Sequence, residues 1–217
     1  PTEIDFSGLE NKTFKNMTLL ISNDIKVKPN IINYDKVNID TLKVEGGIID
    51  TDTINILEKF NLKEVSFLNC DMSDTSSLSK LPVRKLTLDR CGVADLSFTG
   101  KMKQLRDLSI LKNKNSRLYT ISNKNLRSLD IRDTQISNLT FLKKLQHLEK
   151  LIFTANMMND VEWVTYLESR PSIKLKIDKE SPETNNEFWR NFYQEKYGPL
   201  SKSLINWKKQ RDQVVAL

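Results

Sequence analysis

The sequence is poor in the residues that most enzymes and metal sites are built from. In 217 residues it has two Cys, one His, six Gly and six Pro. One His and two Cys, with no C-x-x-C spacing, do not supply the four ligands of a zinc site. Among so few glycines there is no G-x-x-x-x-G-K-S/T loop and no G-x-G-x-x-G turn, so the phosphate cradles of nucleotide enzymes are missing. The single histidine, His147, stands in Leu145-Gln146-His147-Leu148 and reads as a surface turn residue rather than a base or ligand. No catalytic set emerges. The expectation is a non-enzyme with no cofactor and no metal.

Other absences bound the compartment. No apolar run approaches the roughly 20 residues that cross a bilayer as a helix, so no membrane span is expected. No secretory leader is visible. The chain starts at Pro1 rather than Met, which leaves open both a whole protein and a piece of a longer one. Both cysteines, Cys70 and Cys91, fall at positions that read as buried. Free thiols in a reducing intracellular compartment, cytoplasm or nucleus, are expected.

What is present is charge and period. Hydrophobic residues make up 38% and charged residues 29%, enough for a folded domain rather than a disordered tail. The net charge is +6. Such a balance suits an acidic protein surface, or less readily nucleic acid. The period shows best in Leu126-Arg127-Ser128-Leu129-Asp130-Ile131-Arg132-Asp133-Thr134-Gln135-Ile136. The same spacing recurs at Leu62-x-x-Val65-x-Phe67-x-x-Cys70, Val83-x-x-Leu86-x-Leu88-x-x-Cys91, Leu105-x-x-Leu108-x-Ile110-x-x-Asn113 and Leu148-x-x-Leu151-x-Phe153-x-x-Asn156. The starts at 62, 83, 105, 126 and 148 are 21, 22, 21 and 22 residues apart. Looser copies hold Phe14, Met17 and Leu19, then Ile39, Leu42 and Val44, and finally Leu175 and Ile177. About eight units are expected.

The period has a direct physical reading. Alternating apolar residues face one side of a short strand, and the residues between them face the other. A unit this short cannot bury its apolar side alone, so neighbours must stack into one core. The slot held by Cys70, Cys91, Asn113, Thr134 and Asn156 faces inward where the chain turns. A small polar side chain there satisfies backbone groups, and Cys is expected to serve mainly as a small hydrophobe.

These residues resemble the leucine-rich repeat family. The return legs Ile136-Ser137-Asn138-Leu139-Thr140-Phe141-Leu142-Lys143-Lys144-Leu145 and Met72-Ser73-Asp74-Thr75-Ser76-Ser77-Leu78-Ser79-Lys80-Leu81 are similar to the short 22-residue class. That class includes a protein phosphatase-1 regulator, the U2 snRNP A-prime protein and the bacterial internalins. The resemblance covers about 14–178. It implies an α/β fold: a leucine-rich-repeat solenoid with a curved parallel sheet on the concave face and short helices or turns on the convex face. The run from Tyr166 through Pro171, Leu175 and Asp178 resembles the cap that follows the repeats of the A-prime class.

Three regions are expected: an N-terminal cap over 1–13, the solenoid over 14–178 and a C-terminal helical extension over 179–217. Thr51 to Phe60 suits a short helix with Ile54, Leu57 and Phe60 inward and Thr51 or Asp52 as cap. The extension opens with Ser181-Pro182-Glu183 as a helix start and carries Phe188, Trp189, Phe192, Tyr193, Tyr197 and Trp207. These rings form a cap on the last repeat or a second interaction surface.

The open sheet face is the expected docking surface. Its candidate residues are Leu68, Arg84, Asp89, Arg90, Arg106, Leu111, Lys112, Arg127, Asp130 and Arg132. Leu68 and Leu111 are apolar where the repeat does not require it. The column Asn69, Arg90, Lys112, Asp133 and Ala155 is also read as sheet-exposed, with cross-strand pairs such as Asp89 with Arg132 and Arg90 with Asp133. The function expected is a scaffold or adaptor that binds a protein partner bearing an acidic surface. The alternatives are a substrate receptor of a ubiquitin ligase, motivated by the tail helices alone, and a nucleic-acid-associated protein, motivated by the basic excess.

Overall fold

In the computed structural model, the structure describes residues 2–4, 6–21, 25–27, 37–72, 74–113, 116–134, 140–154, 170 and 172–178. The expected extension over 179–217 lies outside them, as do Tyr166 and Pro171 of the expected cap. Eight strands form one parallel sheet in the order β10-β9-β8-β7-β6-β5-β4-β2. They are β2 (Thr13–Leu20), β4 (Asn38–Glu45), β5 (Asn61–Leu68), β6 (Lys85–Asp89), β7 (Asp107–Leu111), β8 (Ser128–Asp130), β9 (Lys150–Thr154) and β10 (Lys174–Asp178). A separate two-stranded parallel sheet pairs β1 (Thr2–Ile4) with β3 (Ile25–Val27).

The register follows the repeat. Val65, Leu86, Leu108, Leu129 and Leu151 stand in one row across five strands. The looser N-terminal copies obey it too. Phe14 pairs with Ile39 and Met17 with Leu42, and Leu42 pairs with Val65. At the far end Leu175 pairs with Leu151 and Ile177 with Phe153. Behind the sheet the chain returns through one short helix, α1 (Thr51–Leu57), and 3-10 turns at Ser76–Lys80, Ser97–Lys101, Leu118–Thr120 and Thr140–Lys144. The row residues and the apolar residues of the return legs, such as Leu78, Phe98, Leu118 and Phe141, bury one continuous core. A regular parallel sheet on one side and compact turns on the other, repeated unit by unit, is a leucine-rich-repeat solenoid of the α/β class. Among the described residues, no helix is long and apolar enough to cross a membrane.

Local details depart from expectation in instructive ways. The helix over 51–60 ends at Leu57, although Phe60 is buried with Ile54 and Leu57 as expected. Its cap is Asp50, not Thr51 or Asp52: the Asp50 carboxylate accepts from the Thr53 amide at 2.8 Å and the Thr53 hydroxyl at 2.7 Å. Asp74 and Asp95, one repeat apart, accept in the same manner from the amides of Ser76 and Ser97. Those hydrogen bonds hold both carboxyls below the usual range. At the N-terminus Phe6 is buried and meets Phe60 edge-on, with ring centroids 5.5 Å apart.

The corner after each strand is turned by a left-handed residue. Gly46, Asn69, Arg90, Lys112 and Asp133 all have φ between 51° and 80°. Four of their amides donate to the next strand's last row, to the carbonyls of Leu68, Asp89, Leu111 and Arg132. A left-handed non-glycine residue costs roughly 1–2 kcal/mol, and this ladder of backbone bonds is what holds it. The column Asn69, Arg90, Lys112 and Asp133 is therefore a row of corners beyond the sheet face. Ala155 lies outside the described residues.

Glycine is required at one corner. A Cβ on Gly47, at φ 69°, would come 2.4 Å from Ile21 Cγ2 and 2.9 Å from its Cβ. Ile21 is buried and its amide donates to Glu45, so it has little room to yield. Gly47→Ala is expected to lower stability by about 1–3 kcal/mol. Gly92→Ala, also at positive φ but with open space around it, is expected to cost about 1 kcal/mol. Parallel urea titrations of the two variants would show whether the difference exists.

Candidate functional surfaces of the solenoid

Three groups of residues are distinguished by where each lies in its repeat, two at the surface and one buried. The first is the outward face of the sheet. One register row runs Leu20, Glu45, Leu68, Asp89, Leu111. Arg132 takes the equivalent place in the next unit, its carbonyl accepting from the Lys112 amide. Leucine thus alternates with acid along the row. Leu20 is 70% exposed on the edge strand. Asp89 stands between Leu68 and Leu111. Its Oδ1 is covered yet accepts no hydrogen bond among the described residues, and the nearest cation is Arg90 Nε at 3.6 Å. A covered carboxylate oxygen lacking a donor is an unspent acceptor.

The expected ion pairs across the sheet do not form. Asp89 does not meet Arg132. Instead, Arg132 Nη2 lies 2.9 Å from Asp130 Oδ2, with Nε also on that carboxylate. Arg90 turns to Asn69 Oδ1 and Asp89 rather than Asp133. Asp89 and Arg132, like Arg90 and Asp133, stand two strands apart, whereas neighbouring strands do pair, Lys85 with Glu64 at 3.0 Å and Lys63 with Asp40 at 2.6 Å. Thr154 is buried, and its hydroxyl accepts from the Asp133 amide at 2.6 Å.

The second group is the buried slot. Cys70, Cys91, Asn113 and Thr134 are all inward as expected, each no more than 4% exposed. Asn113 serves it most fully. Its Nδ2 donates to the carbonyls of Leu88 and Leu111, both at 2.8 Å, and its Oδ1 accepts from the Cys91 amide. The cysteines do more than fill space. Cys70 Sγ lies 3.3 Å from the Leu68 carbonyl, and Cys91 Sγ lies 3.3 Å from the Phe67 carbonyl. They copy the donor half of Asn113 with weaker bonds. Both are free thiols. The neighbouring Cys70 sulfur and burial together push the Cys91 thiol up, toward the inert protonated form.

The third group lines the flank where strands begin. Here Arg84, Arg106 and Arg127 occupy the same place in successive repeats. The Arg84 amide donates to Lys63, that of Arg106 to Arg84, that of Arg127 to Arg106 and that of Glu149 to Arg127, so these residues form a ladder. The lead-in turns add more cations: Lys59 before β5, Lys80 before β6, Lys101 and Lys103 before β7, Lys124 before β8, and Lys143 with Lys144 before β9. Over 57–63, 78–84, 99–106, 120–127 and 142–149 there are eleven Lys or Arg and two acids, Glu58 and Glu149. The segments that leave β4, β5 and β6 (45–53, 68–76 and 89–97) hold seven Asp or Glu and one Arg. The stack is thus polarised across its width at β4 to β6, while the segment 111–119 that follows β7 holds two Lys, one Arg and no acid.

The ten candidate residues of the docking surface therefore divide. Leu68, Asp89, Leu111 and Arg132 lie along the sheet face, whereas Asp130, expected with them, is buried and its carboxylate is taken up by Arg132. Arg90 and Lys112 are corner residues at its rim. Arg84, Arg106 and Arg127 stand on the strand-start flank. Phe188, Trp189, Phe192, Tyr193, Tyr197 and Trp207 lie outside the described residues. Among the described residues no group of three or more His, Cys, Asp and Glu is gathered in a way that could hold a metal ion.

No family model matches the chain, and no curated protein matches it. Among solved structures it is similar to an internalin of Listeria monocytogenes, at 16% identity and a TM-score of 0.40, over 69% of this chain and 52% of that one. The chain thus spans about half the length of that protein.

Proposed function

We propose that the chain is a non-catalytic protein-interaction scaffold of the short 22-residue leucine-rich-repeat class, docking a protein partner on the concave sheet face. The observation that supports this reading is the row Leu68, Asp89, Leu111. Two leucines face outward where the fold does not need them, and between them lies a carboxylate oxygen that accepts no hydrogen bond among the described residues. Leucines in this setting offer desolvated anchors, and the rim cations Arg90 and Lys112 offer charge complementarity to acidic groups of the partner. Solenoid faces are extended binding surfaces by construction, since every unit presents the same strand positions side by side.

The test is affinity purification with mass spectrometry on the wild type and on Leu68→Asp/Leu111→Asp. Both side chains are half-buried beside Asp89, so the two melts are compared first, and Leu68→Ser/Leu111→Ser serves if the adjacent carboxylates lower stability. A protein partner held by the wild type and lost from the double variant is the expected result. Partners retained equally by both would remove the row from the binding surface.

A further inference from the structure

We infer that the strand-start flank is a second, independent site that binds double-stranded nucleic acid through its phosphate backbone. Read along the chain, the charges interleave. Folding in register sorts them, so that the segments leading into β5 to β9 carry eleven cations against two acids, with Lys63 paired to Asp40 and Arg127 to Glu149, while the opposite flank is acidic at β4 to β6. Successive rungs lie roughly 4.8 Å apart, so the ladder from Lys63 to Glu149 spans about 19 Å. Arg84, Lys103 and Lys124 have no side-chain partner among the described residues and are free to take one.

The composition of the flank decides which polyanion fits. The exposed large apolar side chains among the described residues are Leu20, Ile48 and Tyr119, none of which lies on this flank. A protein partner would want an apolar or aromatic anchor here, and a membrane surface would want an apolar wedge. Within these five segments Phe60 is buried and His147 is the one exposed aromatic ring. A single imidazole offers a run of unpaired bases little to stack on, which favours duplex over single strands. What remains is a rigid row of long cations suited to backbone phosphates and indifferent to base sequence.

Fluorescence anisotropy with a mixed-sequence DNA duplex of about 20 base pairs tests the inference. If the flank engages roughly four to six phosphates, log K should fall with log salt at a slope of about −4 to −5. Arg84→Glu/Lys103→Glu/Lys124→Glu should lower affinity more than about tenfold at low salt and flatten the slope by about three. Arg90→Glu/Lys112→Glu/Arg117→Glu changes net charge equally but alters the strand-end side, and should keep most of the affinity. The neutral set Arg84→Gln/Lys103→Gln/Lys124→Gln should fall between and serves if the reversed charges disturb folding. No duplex binding at low salt would overturn the inference. So would equal losses in the two charge-reversal sets, or equal or tighter binding of single strands, poly-glutamate or anionic vesicles.

Discussion

Asn113→Ala should lower the stability of the solenoid by about 2–4 kcal/mol, because the buried Cys91 amide, the buried Leu88 carbonyl and the half-buried Leu111 carbonyl each lose a hydrogen bond at once. The Cys91 amide and the Leu88 carbonyl are buried with Asn113, and the Leu111 carbonyl shares its second lone pair with the Arg90 amide. Each buried group left unsatisfied costs about 1–3 kcal/mol, and partial relief at Leu111 keeps the total below the full sum. Asn113→Cys should lose less. Its thiol can still donate to a carbonyl, as Cys70 and Cys91 do in the same slot, but it accepts poorly from the Cys91 amide. The measurement is equilibrium urea unfolding, read as a lower midpoint at unchanged slope. An Asn113→Ala variant within 0.5 kcal/mol of the wild type would mean that the slot is held by packing and not by hydrogen bonds.

That slot was legible in the sequence because it recurs at a fixed offset from the apolar row: Cys70, Cys91, Asn113 and Thr134 each follow their repeat's first apolar residue by eight positions. The sheet and its register were legible for the same reason. Even the irregular copies at Phe14 and Ile39 fell into line, since a one-residue slip would turn Met17 and Leu42 to the solvent face. The left-handed corners were not legible. Gly46 signals one, but Arg90 and Lys112 carry no mark of positive φ, and only the ladder of corner amides imposes it. The Asp50 cap was missed because Thr51 and Asp52 cap equally well on composition alone.

The candidate surfaces divide along similar lines. Leu68 and Leu111 could be recognised from the alternation of each strand alone. The basic flank could not be recognised from the charges in chain order, where Asp and Glu are mixed with Lys and Arg. The signal existed at one level up: Arg84, Arg106 and Arg127 each directly follow the first apolar residue of their repeat. Stacking units adds side chains at equivalent positions, so a weak positional bias in each repeat becomes a strong field along one side. The ion pairs were misassigned for a separate reason. Neighbouring register positions do pair, as Lys85 does with Glu64, but Asp89 and Arg132 lie two strands apart and each has a nearer partner, in Arg90 and Asp130.

Phe67→Ala should be the most damaging single change, at about 3–5 kcal/mol. Phe67 is fully buried, pairs in register with Val44 and Leu88, and is flanked by the Cys91 thiol against its carbonyl. Truncation opens a cavity between β4, β5 and β6 that rigid neighbouring strands cannot close. How far the damage spreads is the more informative result. In a solenoid each unit touches only its neighbours, so stability is close to a sum of unit and interface contributions. Hydrogen exchange should then show lost protection in β4 to β6 first, with β8 and β9, three or more strands away, protected for longer. The opposing expectation is a single cooperative unit, in which all strands lose protection together by the same free energy. The continuous apolar rows favour cooperation, while the lack of described packing between distant repeats favours local loss. If β9 exchanges as fast as β5 in Phe67→Ala, the rows transmit the defect and any partner docked at Leu68 and Leu111 would feel changes anywhere in the stack. If β9 stays protected, the sheet face and the basic flank can be altered repeat by repeat without the rest responding.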